Sequence, residues 1–341
     1  MKQYNLCFLG FGQVGRALAR LLVSKSAELK EAHGIEWRVT GVASRRIGWL
    51  ASSDGFDVAA LLASGAGIDN DLGKSASANG VNEWLRAAKP DALFETTSLA
   101  PETGQPAIDY LRSTLQAGAH AITANKGAIV FGYDELNRLA REKGKSLLFE
   151  STVLDSAPVF SLFRECLPAV KLRGFSGAFS STTNVIIETM EAGRSFNEGV
   201  KTAQDLGVTE TDPSHDIDGW DSTVKICALA NVLMRIPLKP GDVNREGIRE
   251  LTPNQVQSAR ADGKPFKLVA RAKLAEKGRL VATVRPEQVS ISEPLGNVRG
   301  TSLAIHFELD MMPGLTVTSH RPNLQSTAYG LLADFINAVR I

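Results

Sequence analysis

Hydrophobic positions fall in two registers along this chain. Over Tyr4 to Leu9 an apolar run rich in strand formers ends at GFGQVG, and GRALARLLVSK then places its apolar side chains at helical spacing. Strand candidates recur at WRVTGVAS from Trp37, DALFETTS from Asp91 and HAITANKG from His120, with helical patterns such as PAIDYLRSTLQAG between them. Strands alternating with helices predict a doubly wound α/β domain with a parallel sheet and right-handed crossovers.

After SLLFEST at Ser146 the pattern changes. The segment from Val170 to Glu188 is rich in Gly, Ser and Thr, helical patterns run to about Arg235, and the strand-like runs FKLVARAKL, LVATVRPE, SLAIHFELD and LTVTSH follow. These predict a second, mixed α+β domain. The closing stretch STAYGLLADFINAV, from Ser326, reads as an amphipathic helix that packs back on the first domain. The expected boundaries are 1–135, completed by a C-terminal helix at 320–341, and 136–319 for the second domain.

Composition narrows the partners. The chain has 341 residues and 43% hydrophobic content, enough for two cores, and Lys+Arg 38 against Asp+Glu 37 leaves a net charge of +1. No global field draws it to nucleic acid or to an anionic membrane, so small molecules are the expected partners. Cys7, Cys166 and Cys227 are odd in number and far apart, which predicts reduced core thiols in a cytosolic protein. The start lacks the long apolar region of a signal peptide, and no apolar run reaches the roughly 18 residues of a membrane helix, so a soluble, cytoplasmic protein is expected.

Gly10, Gly12 and Gly15 match G-x-G-x-x-G, placed between the first strand and the helix it opens. The first glycine permits the tight turn, the second lets backbone approach a pyrophosphate, and the third lets helix and strand pack closely. Gln13 and Val14 then lie at the helix N-terminus, whose amide N–H groups face the phosphates. The domain is thus expected to be of Rossmann type. Where the second strand ends, an acid would bind the ribose hydroxyls of NAD. Here the sequence reads ASRRIG, and Ser44, Arg45 and Arg46 offer a hydroxyl and cations to a 2′-phosphate. NADP is the expected cofactor, with NAD the alternative.

The stretch ETDPSHDIDGWDSTVK, Glu210 to Lys225, holds five acids and ends on one lysine. From Asp218 onward the pattern is helical, with Asp218 as the expected N-cap and Asp221 and Lys225 one turn apart on one face. That face continues through Ala228, Leu229 and Val232, so burial would pull the Lys225 pKa down while Asp221 pulls it up. A lysine tuned in this way can exchange a proton with a reacting oxygen, whereas spacing alone is equally satisfied by an ordinary surface ion pair.

The pattern E-x-D-P-x-x-D-x-x-G-x-D-x-x-x-K resembles the substrate-site signature of homoserine dehydrogenases, and the resemblance extends through GFGQVG, ETTSLAPETGQPA, TANKG, FESTV, SSTTN and LGNVRG. It implies an NAD(P)H-dependent interconversion of L-aspartate 4-semialdehyde and L-homoserine in threonine and methionine biosynthesis by a homodimer. It also implies roles. Lys225 would exchange the proton of the C4 oxygen, Lys126 would stabilise charge developing on that oxygen, and Glu210 and Asp221 would bind the substrate amino group. Asp216 would orient Lys225, and Thr182 would contact substrate. Thr96, Thr97, Lys126 and Asn323 would join the glycine turn, Ser44, Arg45 and Arg46 around the cofactor. Glu150, Val153, Asp155 and Ala157 would hold a sodium-like monovalent cation, mostly through main-chain carbonyls.

Neither CxxC nor HExxH occurs, and no tyrosine is followed by Lys four residues later, which disfavours zinc and short-chain dehydrogenases. Three family glycine positions carry side chains here: Ser181, the Leu154 to Ala157 run, and the Arg321-Pro322-Asn323 run. These departures keep two alternatives open, a same-fold oxidoreductase acting on another small amino or hydroxy acid and a non-catalytic nucleotide-binding relative. With the chain ending after its last helix, no kinase or regulatory domain and no feedback by threonine are expected.

Overall fold

The computed structural model describes residues 2–63, 76–209, 212–275 and 278–340. It divides into two compact units, Met1–Ser156 with Asn323–Ile341 and Ala157–Pro322.

The first unit opens with strand β1 (Lys2–Leu9), helices α1 (Gln13–Ser24) and α2 (Ser26–His33), and strands β2 (Ile35–Ser44) and β3 (Gly48–Ala51). Helix α3 (Val58–Ala63), strand β4 (Ala76–Ser77), helix α4 (Val81–Ala88) and strand β5 (Ala92–Glu95) follow. Helix α5 (Ala107–Gln116), strand β6 (His120–Thr123), helix α6 (Lys126–Glu142) and strand β7 (Leu147–Leu148) come next. Its sheet has the order β4-β3-β2-β1-β5-β6-β7. Strands β2, β1, β5, β6 and β7 pair in parallel, as the alternating pattern predicts, and β5 is buried along its whole length. The β3 and β4 edge is antiparallel, because the three residues after Ser44 turn the chain straight back along β2.

In the second unit, strand β8 (Leu172–Ala178) leads into helices α7 (Ser181–Glu191), α8 (Phe196–Asp205), α9 (Ser214–Ile217) and α10 (Trp220–Leu229). Strand β9 (Asn244–Arg245), helix α11 (Pro253–Ala261) and strands β10 (Phe266–Leu274), β11 (Leu280–Gln288), β12 (Leu303–Leu309) and β13 (Leu315–Ser319) complete it. The sheet order is β13-β12-β8-β10-β11-β9, mostly antiparallel. All four strand-like runs read from the sequence are strands.

The last helix, α12 (Leu324–Val339), belongs to the first unit. Its Ala328, Leu331, Leu332 and Phe335 share a core with Leu6, Phe8, Leu18, Leu22 and Phe94. The first unit runs to Ser156 rather than ending at 135, which lies inside α6; β7 still adds to the first sheet beyond that point. Cys7 and Cys227 are core thiols, with burial pushing both pKa values up to about 12. Cys166 is exposed instead, since the Leu162–Cys166 segment buries none of its side chains. Among the described residues, no helix is long and apolar enough to cross a membrane.

Candidate functional site

The residues singled out in the sequence divide between the units. In the first, the glycine turn closes on β5. Gly10 has φ +95°, and a β-carbon there would lie 2.6 Å from the Thr96 carbonyl group. The Thr96 hydroxyl donates to the Gly10 carbonyl at 2.6 Å, and the Gly10 N–H donates to Ala43 O at 2.8 Å. A β-carbon at Gly15 would lie 2.5 Å from the Gly10 carbonyl oxygen, so the third glycine sets how closely α1 approaches the turn. Gly12 differs: a β-carbon there would meet nothing within 4 Å. The turn therefore keeps an open backbone face where α1 begins with Gln13 and Val14, with no side-chain cap and no acid in its first turn. Open space, N–H donors and the positive end of the helix dipole suit the pyrophosphate of a dinucleotide.

At the end of β2, the Ser44 hydroxyl accepts the N–H groups of Arg46 and Ile47, both at 3.3 Å, which shapes the turn into β3. Arg45 and Arg46 are exposed on that turn. Thr97 donates its N–H to Glu95 Oε1 at 2.8 Å and its hydroxyl to the same oxygen, while the Thr123 hydroxyl donates to Glu95 Oε2 at 2.6 Å. Burial raises the pKa of the Glu95 carboxyl, against these hydrogen bonds, which lower it. Asn125 caps α6 by accepting the Gly127 N–H at 3.1 Å, so Lys126 is the first residue of that helix. A cation at a helix N-terminus opposes the dipole, and its position there suits a ligand better than it suits the helix.

Asn323 is the N-cap of α12, its side-chain oxygen accepting the N–H groups of Gln325 and Ser326 at 2.9 and 3.0 Å. Of the expected cation ligands, Val153 is buried, the Glu150 N–H donates to Asp334 Oδ2 at 2.8 Å, and Asp155 accepts the Thr327 hydroxyl at 2.7 Å. Ala157 falls in the other unit. Among the described residues, no group of three or more His, Cys, Asp and Glu could hold a metal ion.

The second unit carries the acidic stretch. Glu210 lies outside the described residues. Lys225 is 9% exposed on α10. Its ammonium lies 2.8 Å from Asp221 Oδ2 and donates to the Phe179 carbonyl oxygen at 2.6 Å, just past the end of β8. This pair is held in the protein rather than lying along a solvated helix face. Asp216, on α9, faces Thr182 at 2.7 Å and Thr209 at 3.4 Å. Thr182 is buried, and its hydroxyl also lies 3.0 Å from Val208 O, so its hydrogen is engaged within the protein.

Asp218 does not cap α10. The N-cap is Gly219, in the left-handed region at φ 78°, and Asp218 instead closes α9 and forms a two-pronged pair with Arg249. Arg245 stacks 3.7 Å from the Trp220 ring and donates to the Asp218 carbonyl, which ties the start of α10 to the segment at β9. Sequence reasoning missed the Phe179 carbonyl and Glu95. A main-chain oxygen leaves no trace in residue identity, but an acid closing the apolar run ALFE at the end of a parallel strand was a usable signal.

With this geometry in place, comparison with known proteins is specific. Residues 158–336 match the homoserine dehydrogenase family model, and residues 10–150 match the homoserine dehydrogenase NAD binding domain. An NAD(+)-dependent homoserine dehydrogenase of Pseudomonas canavaninivorans is 32% identical over 340 residues, covering 99% of this chain and 96% of that protein. A homoserine dehydrogenase of Methanocaldococcus jannaschii is 30% identical over 337 residues, 98% of each. Among solved structures, a homoserine dehydrogenase from Thiobacillus denitrificans matches with TM-score 0.83 at 27% identity, covering all of this chain and 74% of that one. A hyperthermophilic archaeal homoserine dehydrogenase in complex with NADPH matches with TM-score 0.81 at 28% identity, covering 99% and 98%.

Proposed function

The chain belongs to the homoserine dehydrogenase family, and from that premise we propose that it interconverts L-homoserine and L-aspartate 4-semialdehyde with Lys225 exchanging the proton of the C4 oxygen. The observation that carries this reading is the buried Lys225 ammonium, fixed between Asp221 and the Phe179 carbonyl oxygen. The comparisons do not favour an enzyme for another amino or hydroxy acid, nor a non-catalytic relative.

When bound, the cofactor supplies or accepts the hydride at C4 of its nicotinamide. The residues of this chain do the rest. In the reducing direction Lys225 donates a hydrogen bond to the aldehyde oxygen and gives up its proton as charge develops there, a contribution of roughly 10²–10⁴-fold for a positioned general acid. Asp221 keeps that lysine oriented and, with Glu210, would hold the substrate amino group. By the family resemblance, Lys126 would add positive charge at the developing oxyanion. Asp216 and Thr182 tie α9 to α7 within the second unit and act as positioning residues for Lys225.

Arg45 and Arg46, exposed beyond β2 with no acid in the turn, support NADP as the cofactor. The NAD(+)-dependent relative from Pseudomonas canavaninivorans supports the second reading, NAD. A sodium-like ion on the carbonyls of the Glu150 to Ala157 segment belongs to the same reading, and loss of activity on dialysis into sodium-free buffer tests it. The family resemblance also supports a cytoplasmic homodimer serving threonine and methionine biosynthesis.

The test is homoserine-dependent reduction of NADP and of NAD at alkaline pH. Lys225→Ala is expected to lower kcat by about 10³ while the Kd for cofactor stays within about twofold. Turnover that survives this substitution would sink the assignment.

A further inference from the structure

Glu95 is fully buried at the end of β5, between β1 and β6, where its main chain pairs with Leu9 on one side and Thr123 on the other. Its carboxylate accepts hydrogen bonds from both loops that carry site residues. Oε1 takes the N–H and hydroxyl of Thr97, and Oε2 takes the Thr123 hydroxyl at 2.6 Å. The Thr123 oxygen in turn accepts the Asn125 N–H at 2.9 Å, and Asn125 caps the helix that Lys126 begins. On the other side, adjacent Thr96 closes the glycine turn through its hydroxyl. Glu95 faces one backbone N–H and two hydroxyls, donors that favour its ionised form against the burial that disfavours it.

A carboxylate in the interior is felt strongly by charges nearby, because the surrounding dielectric is low. In open α/β sheets the ligand lies outside the carboxyl ends of the strands, and Glu95 stands at that edge. The nicotinamide ring is cationic when oxidised and neutral when reduced.

We propose that Glu95 is a positioning residue for the nicotinamide end of the site: it fixes the Thr96–Ser98 and Thr123–Lys126 loops together, and its charge favours the oxidised cofactor over the reduced one. The proposal rests on the dehydrogenase reading only in that a nicotinamide dinucleotide occupies the glycine turn.

The experiment titrates NADP+ and NADPH into the full-length protein and its Glu95→Gln and Glu95→Asp variants. Gln keeps an acceptor for Thr97 but removes the charge, and its Kd for NADP+ is expected to rise about tenfold while that for NADPH stays within about twofold. Asp keeps the charge and loses reach. It is expected to retain the parental ratio of the two dissociation constants while kcat with homoserine falls about tenfold, because the loops shift. Equal weakening of both cofactors by Glu95→Gln, or no change in either, overturns the proposal. Should the Glu95 variants fail to fold, Thr123→Val removes one donor at constant size; lowered kcat that Thr123→Ser restores supports the tie, and parental kcat in Thr123→Val overturns it. If the parent binds both cofactors yet does not turn over homoserine, the functional reading fails and the ratio test still stands.

Discussion

Lys225 and His120 show how the same physics, burial of an ionisable group, has different uses. Lys225 keeps its ammonium bonded to one carboxylate and one carbonyl oxygen, so the buried charge is not orphaned, a condition the proposed proton exchange needs. His120, at the start of β6, is held neutral. Burial, then the nearby charges of Lys145 and Lys2, lowers its pKa from the usual 6.5 to about 4, and its Nδ1 accepts the Ser146 N–H at 3.2 Å. The folded pKa lies below the unfolded one, so the unfolded chain binds the extra proton in this window. The histidine's contribution is therefore complete above pH 6.5 and is lost as pH falls toward 4. We expect roughly 1–2 kcal/mol from this group, discounted for its partial contact with solvent. Denaturant titrations from pH 7 to 4 should show that loss, and His120→Gln, which keeps an acceptor for Ser146, should flatten it. An unchanged acid limb in the variant would assign the loss to the carboxylates.

At the scale of elements, strand, turn and helix at the N-terminus were legible from the glycine spacing, and the fold itself makes a steric demand at Gly10 and Gly15 but not at Gly12, which separates fold from function. Gly10→Ala places a methyl group 2.6 Å from the Thr96 carbonyl at a φ of +95°, so it is expected to destabilise the first unit by about 2–4 kcal/mol. Gly12→Ala meets nothing, so the melting temperature should hold within about 2 °C while cofactor binding weakens at least tenfold, the methyl group standing where a pyrophosphate would lie. Thermal melts with and without NADP check both. A Gly12→Ala protein with parental affinity would argue that nothing docks on that face. Other elements were less legible. The antiparallel β3 edge follows from a turn of three residues that has no hydrophobic period, and the N-cap of α10 is Gly219 rather than Asp218, whose carboxylate pairs with Arg249. That partner is a residue 31 positions away, which helix-capping preference cannot see.

Across the whole molecule the first and last stretches of the chain share one core, which puts an unambiguous test at Phe335. The boundary at Ser156 was not legible because β7 is only two residues long, too short to show a period, yet it extends the first sheet. The return of α12 was legible, since its apolar face needed a partner. Phe335 is fully buried, edge-on to Tyr4 at 5.7 Å and to Phe94 at 6.0 Å, and the next-door Asp334 accepts the Glu150 N–H. Phe335→Ala should therefore cost about 3–5 kcal/mol, a melting shift on the order of 6–20 °C for a unit of this size. With two compact units, unfolding need not be two-state, and calorimetry can assign the loss. The transition that saturating NADPH raises belongs to the unit with the glycine turn, and that transition alone should fall in Phe335→Ala. If the transition indifferent to cofactor falls equally, the two units melt as one cooperative body.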